Sequence, residues 1–98
     1  MHVSKETAGA FRDTYRYYVD KSGNLTATLT WRTAANPLYV QAQLVAYSIG
    51  AGCNGESADY PSTTAKAGCL VQGTATIDIV VGADLGTPDS YDLTVRIT

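Results

Sequence analysis

Two kinds of alternating run, near the start and at the end of the chain, constrain its fold most. Phe11, Asp13, Tyr15, Tyr17 and Val19 alternate with Arg12, Thr14, Arg16, Tyr18 and Asp20, and beyond Lys21-Ser22-Gly23-Asn24 the rhythm resumes as Leu25, Ala27, Leu29 and Trp31 against Thr26, Thr28 and Thr30. The last residues repeat it as Tyr91, Leu93, Val95 and Ile97. A period of two sends successive side chains to opposite faces, so each run is predicted to be a strand with one face in a core and the other in water. The turn at 21–24 holds Gly23 and Asn24, either of which takes positive φ at little cost.

Between these runs the pattern stays β. Leu38, Val40, Ala42, Leu44 and Ala46 alternate with Tyr39, Gln41, Gln43, Val45 and Tyr47. Apolar residues on both sets predict a strand that is central or covered on both sides. Cys69 to Val71 reads as a short strand, and Ala75, Ile77, Ile79 and Val81 face Thr76, Asp78 and Val80 across another. Asn36-Pro37 ends one loop, and 82–90, with Gly86 and Pro88, turns the chain into its closing strand. No segment predicts a helix. The expected architecture is all-β, an antiparallel β-sandwich of jelly-roll or immunoglobulin-like kind with about six to eight strands. Residues 1–10 are a leader or docking strand, and 11–98 are a single sandwich domain.

A chain of 98 residues supports one core. Its net charge of -2 includes no block of like charge, which argues against a groove for nucleic acid. No apolar run approaches the ~20 residues of a membrane span. The N-terminus Met1-His2-Val3-Ser4-Lys5-Glu6 lacks the apolar stretch of a signal peptide, so a mature or trimmed segment is expected, with a complete cytosolic protein as the alternative.

The two cysteines bear on compartment. Cys53 and Cys69 bracket a stretch rich in small residues that reads as a long loop. A bridge across such a span stabilises by about 3 kcal/mol in the chain-entropy model and points to a secreted, extracellular location. Two unpaired thiols are the other reading.

Catalytic patterns are sparse. Gly50-Ala51-Gly52-Cys53-Asn54-Gly55 matches G-x-G-x-x-G, but Glu56 to Pro61 cannot sustain the helix whose N-terminal amides would hold a pyrophosphate. His2 is the only histidine and lies in the leader, which leaves no base placed for a nucleophile. The acids Glu56, Asp59, Asp78, Asp84, Asp89 and Asp92 read as solvated surface, and no enzyme is expected. Asp84, Asp89 and Asp92 gather around one turn and can supply hard oxygen ligands, so Ca²⁺ is the one cofactor to consider, without EF-hand spacing.

Tyrosine is the unusual residue, with seven against one Phe and one Trp. Tyr15, Tyr17 and Tyr91 fall on inward faces and read as scaffold. Tyr18, Tyr39 and Tyr47 fall on opposite faces and Tyr60 sits in the long loop. Exposed aromatic rings suit sugar rings or the apolar surface of a fibrous polypeptide, and Tyr39, Tyr47 and Val45 share one strand face in this reading. The bland alternative is that they cover a second sheet or a neighbouring loop.

Tyr15-Arg16-Tyr17-Tyr18-Val19, the stretch from Ser22 to Trp31, and Tyr91-Asp92-Leu93-Thr94-Val95 together resemble the bacterial pre-peptidase C-terminal domain family over about residues 11 to 97. Members often carry an Asp-Leu-Asp-Leu strand where this chain has Asn36-Pro37-Leu38-Tyr39-Val40-Gln41, and the Cys53 to Cys69 stretch is not a family feature. The resemblance implies a non-catalytic β-sandwich appended to a secreted bacterial hydrolase, related in architecture to collagen-binding domains that use exposed tyrosines. It implies an extracellular binding module contacting a protein or polysaccharide surface through Tyr18, Tyr39, Tyr47 and Tyr60. The alternative is a structural subunit of an extracellular assembly, a filament or surface layer, whose leader or edge strand pairs with copies of itself.

Overall fold

The computed structural model describes residues 1–55, 63–84 and 86–98. Among the described residues eight strands follow one another: β1 (His2–Thr7), β2 (Phe11–Val19), β3 (Gly23–Trp31), β4 (Tyr39–Tyr47), β5 (Gly50–Gly55), β6 (Thr64–Gln72), β7 (Ala75–Ala83) and β8 (Asp89–Ile97). They form a five-stranded sheet ordered β1-β8-β3-β6-β5 and a three-stranded sheet ordered β2-β7-β4, antiparallel throughout. The expected antiparallel sandwich with one disulfide is the fold. Residues 2–7 dock as edge strand β1, which among the described residues pairs with β8 alone.

Alternation becomes packing in the way the pattern predicts. Leu25, Ala27 and Leu29 of β3 meet Leu93 and Val95 of β8 and Ala65, Ala67 and Cys69 of β6 along one inner face. Ile77, Ile79 and Val81 of β7 supply the facing layer. β7 is the strand covered on both sides, because Val80 is also buried although it points away from the core.

Every connection except the β5–β6 hairpin passes from one sheet to the other. The 21–24 segment is therefore a crossing between sheets, and positive φ occurs at Gly9, Gly73 and Gly86 instead of at Gly23 or Asn24. Gly23 answers a different demand. A Cβ there would lie 2.9 Å from the Thr98 carbonyl oxygen, where Asn24 and Thr98 exchange backbone hydrogen bonds.

β4 departs from expectation. It is an edge strand of the smaller sheet rather than a covered one, and its outer residues stay exposed. A β-bulge between Leu44 and Ala46 breaks the alternation: Leu44 pairs with Ile77, Ala46 with Thr76, and Tyr47 with Ala75 of the inner row. Tyr47 thus leaves the face that holds Tyr39. The cysteine segment also differs from a loop, since Cys53 and Cys69 are direct cross-strand partners in the β5–β6 hairpin, with Cα atoms 4.0 Å apart and their sulfurs bonded.

At one end of the sandwich, Asp89 ties the β3–β4 loop to the start of β8. Its carboxylate accepts the amides of Arg32 (3.3 Å), Thr33 (3.0 Å) and Ser90 (2.7 Å) and the Asn36 Nδ2 (2.9 Å). Asn36 is buried, and its Oδ1 accepts the Thr87 amide at 3.0 Å. Burial pushes the Asp89 carboxyl up, but the hydrogen bonds from Asn36, Ser90, Thr33 and Arg32 outweigh it and hold the group below the usual carboxylate range.

Candidate functional site

The sequence nominates the tyrosines, and the structure sorts them. Tyr91 is buried, stacks on Phe11 with ring centroids 5.7 Å apart, and donates its hydroxyl to Asp13 at 2.8 Å. A phenol has one proton, so the Tyr15 hydroxyl donates to Tyr91. Burial first, then these hydrogen bonds, raises the Tyr91 phenol well above its ordinary value. Tyr15 and Tyr91 are scaffold, as their inward register requires.

Tyr39 lies over β7. Its hydroxyl oxygen would be 2.7 Å from a Cβ at Gly82, so the glycine makes room for the phenol against the sheet and Tyr39 is only partly exposed. Tyr18 and Tyr47 are different, with 63% and 58% of their surface in solvent. Around them stand Val45 at 48% and Ile49 at 71%.

These four converge on one end of the sandwich. The bulge puts Val45 out of register, Tyr47 ends β4, and Ile49 forms the corner into β5. Tyr18 joins from the far edge strand through the cross-strand row Tyr18–Thr76–Ala46, two strand spacings or about 10 Å wide. The site therefore includes Val45 and Ile49 beside two of the four nominated tyrosines, while Tyr39 faces elsewhere. Tyr60 lies outside the described residues.

Charge divides the molecule into two flanks. On one, Lys5 of β1 reaches Asp13 of β2 at 2.8 Å, and Arg16 pairs with Asp78 at 2.9 Å. The Arg16 hydrogen bond lowers the Asp78 carboxyl; desolvation opposes it, and the Arg16 charge adds a smaller push in the same downward direction. On the other flank β4 packs beside β5, and from Thr33 to Gly55 the chain carries no charged residue.

The carboxylates nominated for calcium part company. Asp89 spends its oxygens on four N–H donors, Asp92 accepts the Ser4 hydroxyl on the outer face of β8, and Asp84 is exposed in the β7–β8 loop. Among the described residues no three His, Cys, Asp or Glu side chains gather as a metal cluster.

Strand pairing also brings His2, Ser4, Asp92 and Thr94 together, which the distance between these residues in the chain conceals. The order is not that of a nucleophilic triad. The His2 Nε2 lies 3.2 Å from the Ser4 hydroxyl and 3.5 Å from Asp92 Oδ1, but Ser4 donates to Asp92 directly, and Nδ1, which a triad would set on the carboxylate, faces the Thr94 hydroxyl at 3.1 Å. The Gly50–Gly55 stretch is strand β5 rather than a phosphate loop, while 56–62, where the fingerprint would need its helix, lies outside the described residues. No helix among the described residues is long and apolar enough to cross a membrane.

Neither a family model nor a curated protein matches this chain.

Proposed function

We propose that this protein is a non-catalytic extracellular attachment module that holds an apolar polypeptide surface at the end of its sandwich. One observation carries the reading: Tyr18, Val45, Tyr47 and Ile49 are all exposed and all lie at that end, Tyr18 on the outer face of the smaller sheet and Tyr47 in its inner register beyond the bulge. A soluble domain exposes single apolar residues freely, but several large ones gathered at one end favour a contact surface. Tyrosine adds large contact area at low entropic cost, with a hydroxyl for the rim. The aliphatic Val45 and Ile49 favour polypeptide over sugar, which stacks on flat aromatic faces. The disulfide supports an oxidising compartment. A role of this kind is also what resemblance to the pre-peptidase C-terminal domains implies.

Cosedimentation with insoluble collagen, and separately with cellulose, tests the reading. The wild-type protein is expected in the collagen pellet, and Tyr18→Ala with Tyr47→Ala is expected to remain in the supernatant while its circular dichroism is unchanged. Pelleting with cellulose alone would transfer the site to polysaccharide. A double variant that pellets as the wild type does would remove the site.

A further inference from the structure

We infer that β1 is an exchangeable strand: two copies of the chain trade residues 2–7, each β1 docking on β8 of the other, in a closed strand-swapped dimer. This goes beyond the attachment reading and does not rest on it.

Little that is buried holds β1 in place. None of its six residues is buried, and Val3 is its one apolar side chain against the core. Its side-chain contacts are polar: Ser4 donates to Asp92, the His2 Nδ1 lies 3.1 Å from the Thr94 hydroxyl, Lys5 donates to Asp13 at 2.8 Å, and the Thr7 hydroxyl accepts the Asp89 amide at 3.2 Å. Few buried apolar contacts put a segment at the low end of local stability. The layer beneath does not depend on it, because Tyr91 donates to Asp13 and Tyr15 to Tyr91 through bonds that involve no atom of β1. Releasing β1 leaves those bonds intact and turns β8 into an open edge over Asp89 to Thr94.

The connection suits an exchange. Ala8-Gly9-Ala10 carries the chain from the larger sheet to β2 of the smaller one, and Gly9 turns it at a φ of 106°. Glycine adopts that turn and an extended backbone about equally well, so one residue serves both the closed and the exchanged chain. Short hinges invite swapping, since the swapped strand keeps in its new place every contact it had within its own chain.

Charge selects the occupant. Lys5 stands opposite Tyr91 in the inward register of β1, and among the described residues no other strand carries a cation inward: Arg12, Arg16, Lys66 and Arg96 all fall on outer faces. Asp13 supplies the matching carboxylate, one oxygen accepting Lys5 and the other Tyr91. A strand entering the β8 edge must bring a cation to this carboxylate, and of the described strands β1 alone does so. A slip of one residue would set Ser4 or Glu6 opposite Tyr91 instead, so the same contact fixes the register. The inward Lys5 also guards the free side of β1, and the exchange therefore closes as a pair instead of continuing as a fibre.

Disulfide trapping tests the exchange, with oxidised glutathione as the oxidant and the Cys53–Cys69 bond left intact. One copy carries Ser4→Cys and the other Asp92→Cys, positions that pair across β1 and β8. Neither copy holds both thiols, so a bridge between positions 4 and 92 forms only between chains. An equimolar mixture is expected to yield that bridge, identified by peptide mass mapping, at least about tenfold above a mixture of His2→Cys and Ser90→Cys, which the same register holds apart. Adding Lys5→Glu to the Ser4→Cys copy sets like charges together at Asp13 and is expected to drop the yield to that of the control. None of these positions is buried, so every variant should keep the circular dichroism of the wild type. In sedimentation velocity the wild type is expected to show a dimer whose share grows with concentration. A bridge no more abundant than in the control, a yield indifferent to Lys5→Glu, or a wild type that is monomeric at every concentration would each overturn the inference.

Discussion

Replacing Asp89 by alanine removes the acceptor on which four donors converge, so the cost can be worked donor by donor. The Arg32 amide is exposed and turns to water without loss, and the Ser90 amide is a local contact on the same strand. The Thr33 amide and the Asn36 side chain are the ones left short, although Asn36 keeps a second acceptor in the Thr87 carbonyl. Hydrogen bonds to a charged group contribute about 1.5–3 kcal/mol each, so the two that matter, one of them partly compensated, amount to about 3 kcal/mol. For a domain of this size that lowers Tm by about 12–24 °C.

The loss has a pH signature. The Asp89 carboxyl is held below its ordinary value, so its contribution is fully present above about pH 4 and disappears as pH falls through the folded-state value. Urea denaturation of wild type and Asp89→Ala at a series of pH values should show a gap that is constant near neutrality and closes in acid. Equal stability at pH 7, within about 0.5 kcal/mol, would refute the proposed role, because a change of that size is ordinary for surface sites.

Three further perturbations have definite expectations. Reducing Cys53–Cys69 should lower stability by about 3 kcal/mol and speed amide exchange first in β5, which the bridge ties to β6; mass spectrometry of exchanged peptides reads this directly. Gly82→Ala drives a methyl into the Tyr39 ring and the Phe11 carbonyl and should cost about 1–3 kcal/mol by thermal melting, whereas Gly52→Ala should be neutral or stabilising. Tyr91 stays protonated in the fold while an unfolded phenol ionises near pH 10, so stability should fall above about pH 10, and Tyr91→Phe should flatten that alkaline limb in denaturant titrations.

The strands with clean alternation, β2, β3, β7 and β8, are legible because one buried face writes a period of two into the chain. β5 is not. Gly50, Ala51 and Gly52 carry no β preference, and the strand exists because Cys53 and its neighbours pair with β6. β4 is half legible: its apolar residues announce a strand, but the bulge at Leu44–Ala46 has no marker such as Gly or Pro and moves Tyr47 to the inner row. The Asn36–Asp89 clasp joins residues 53 positions apart, beyond the reach of any local pattern. At the candidate site the tyrosines were visible as a composition bias, yet only topology distinguishes Tyr39, seated over Gly82, from Tyr18 and Tyr47. The uncharged run from Thr33 to Gly55 acquires meaning only once β4 and β5 are known to share a flank.

The attachment reading is tested most directly by following the ¹H–¹⁵N spectrum of labelled protein while soluble gelatin is added. Shifts and broadening are expected to be confined to Tyr18, Val45, Tyr47, Ile49 and their neighbours, with His2, Asp92 and the Asp89 clasp unchanged. Perturbations centred on His2, Ser4 and Asp92, or spread evenly over both flanks, would contradict it.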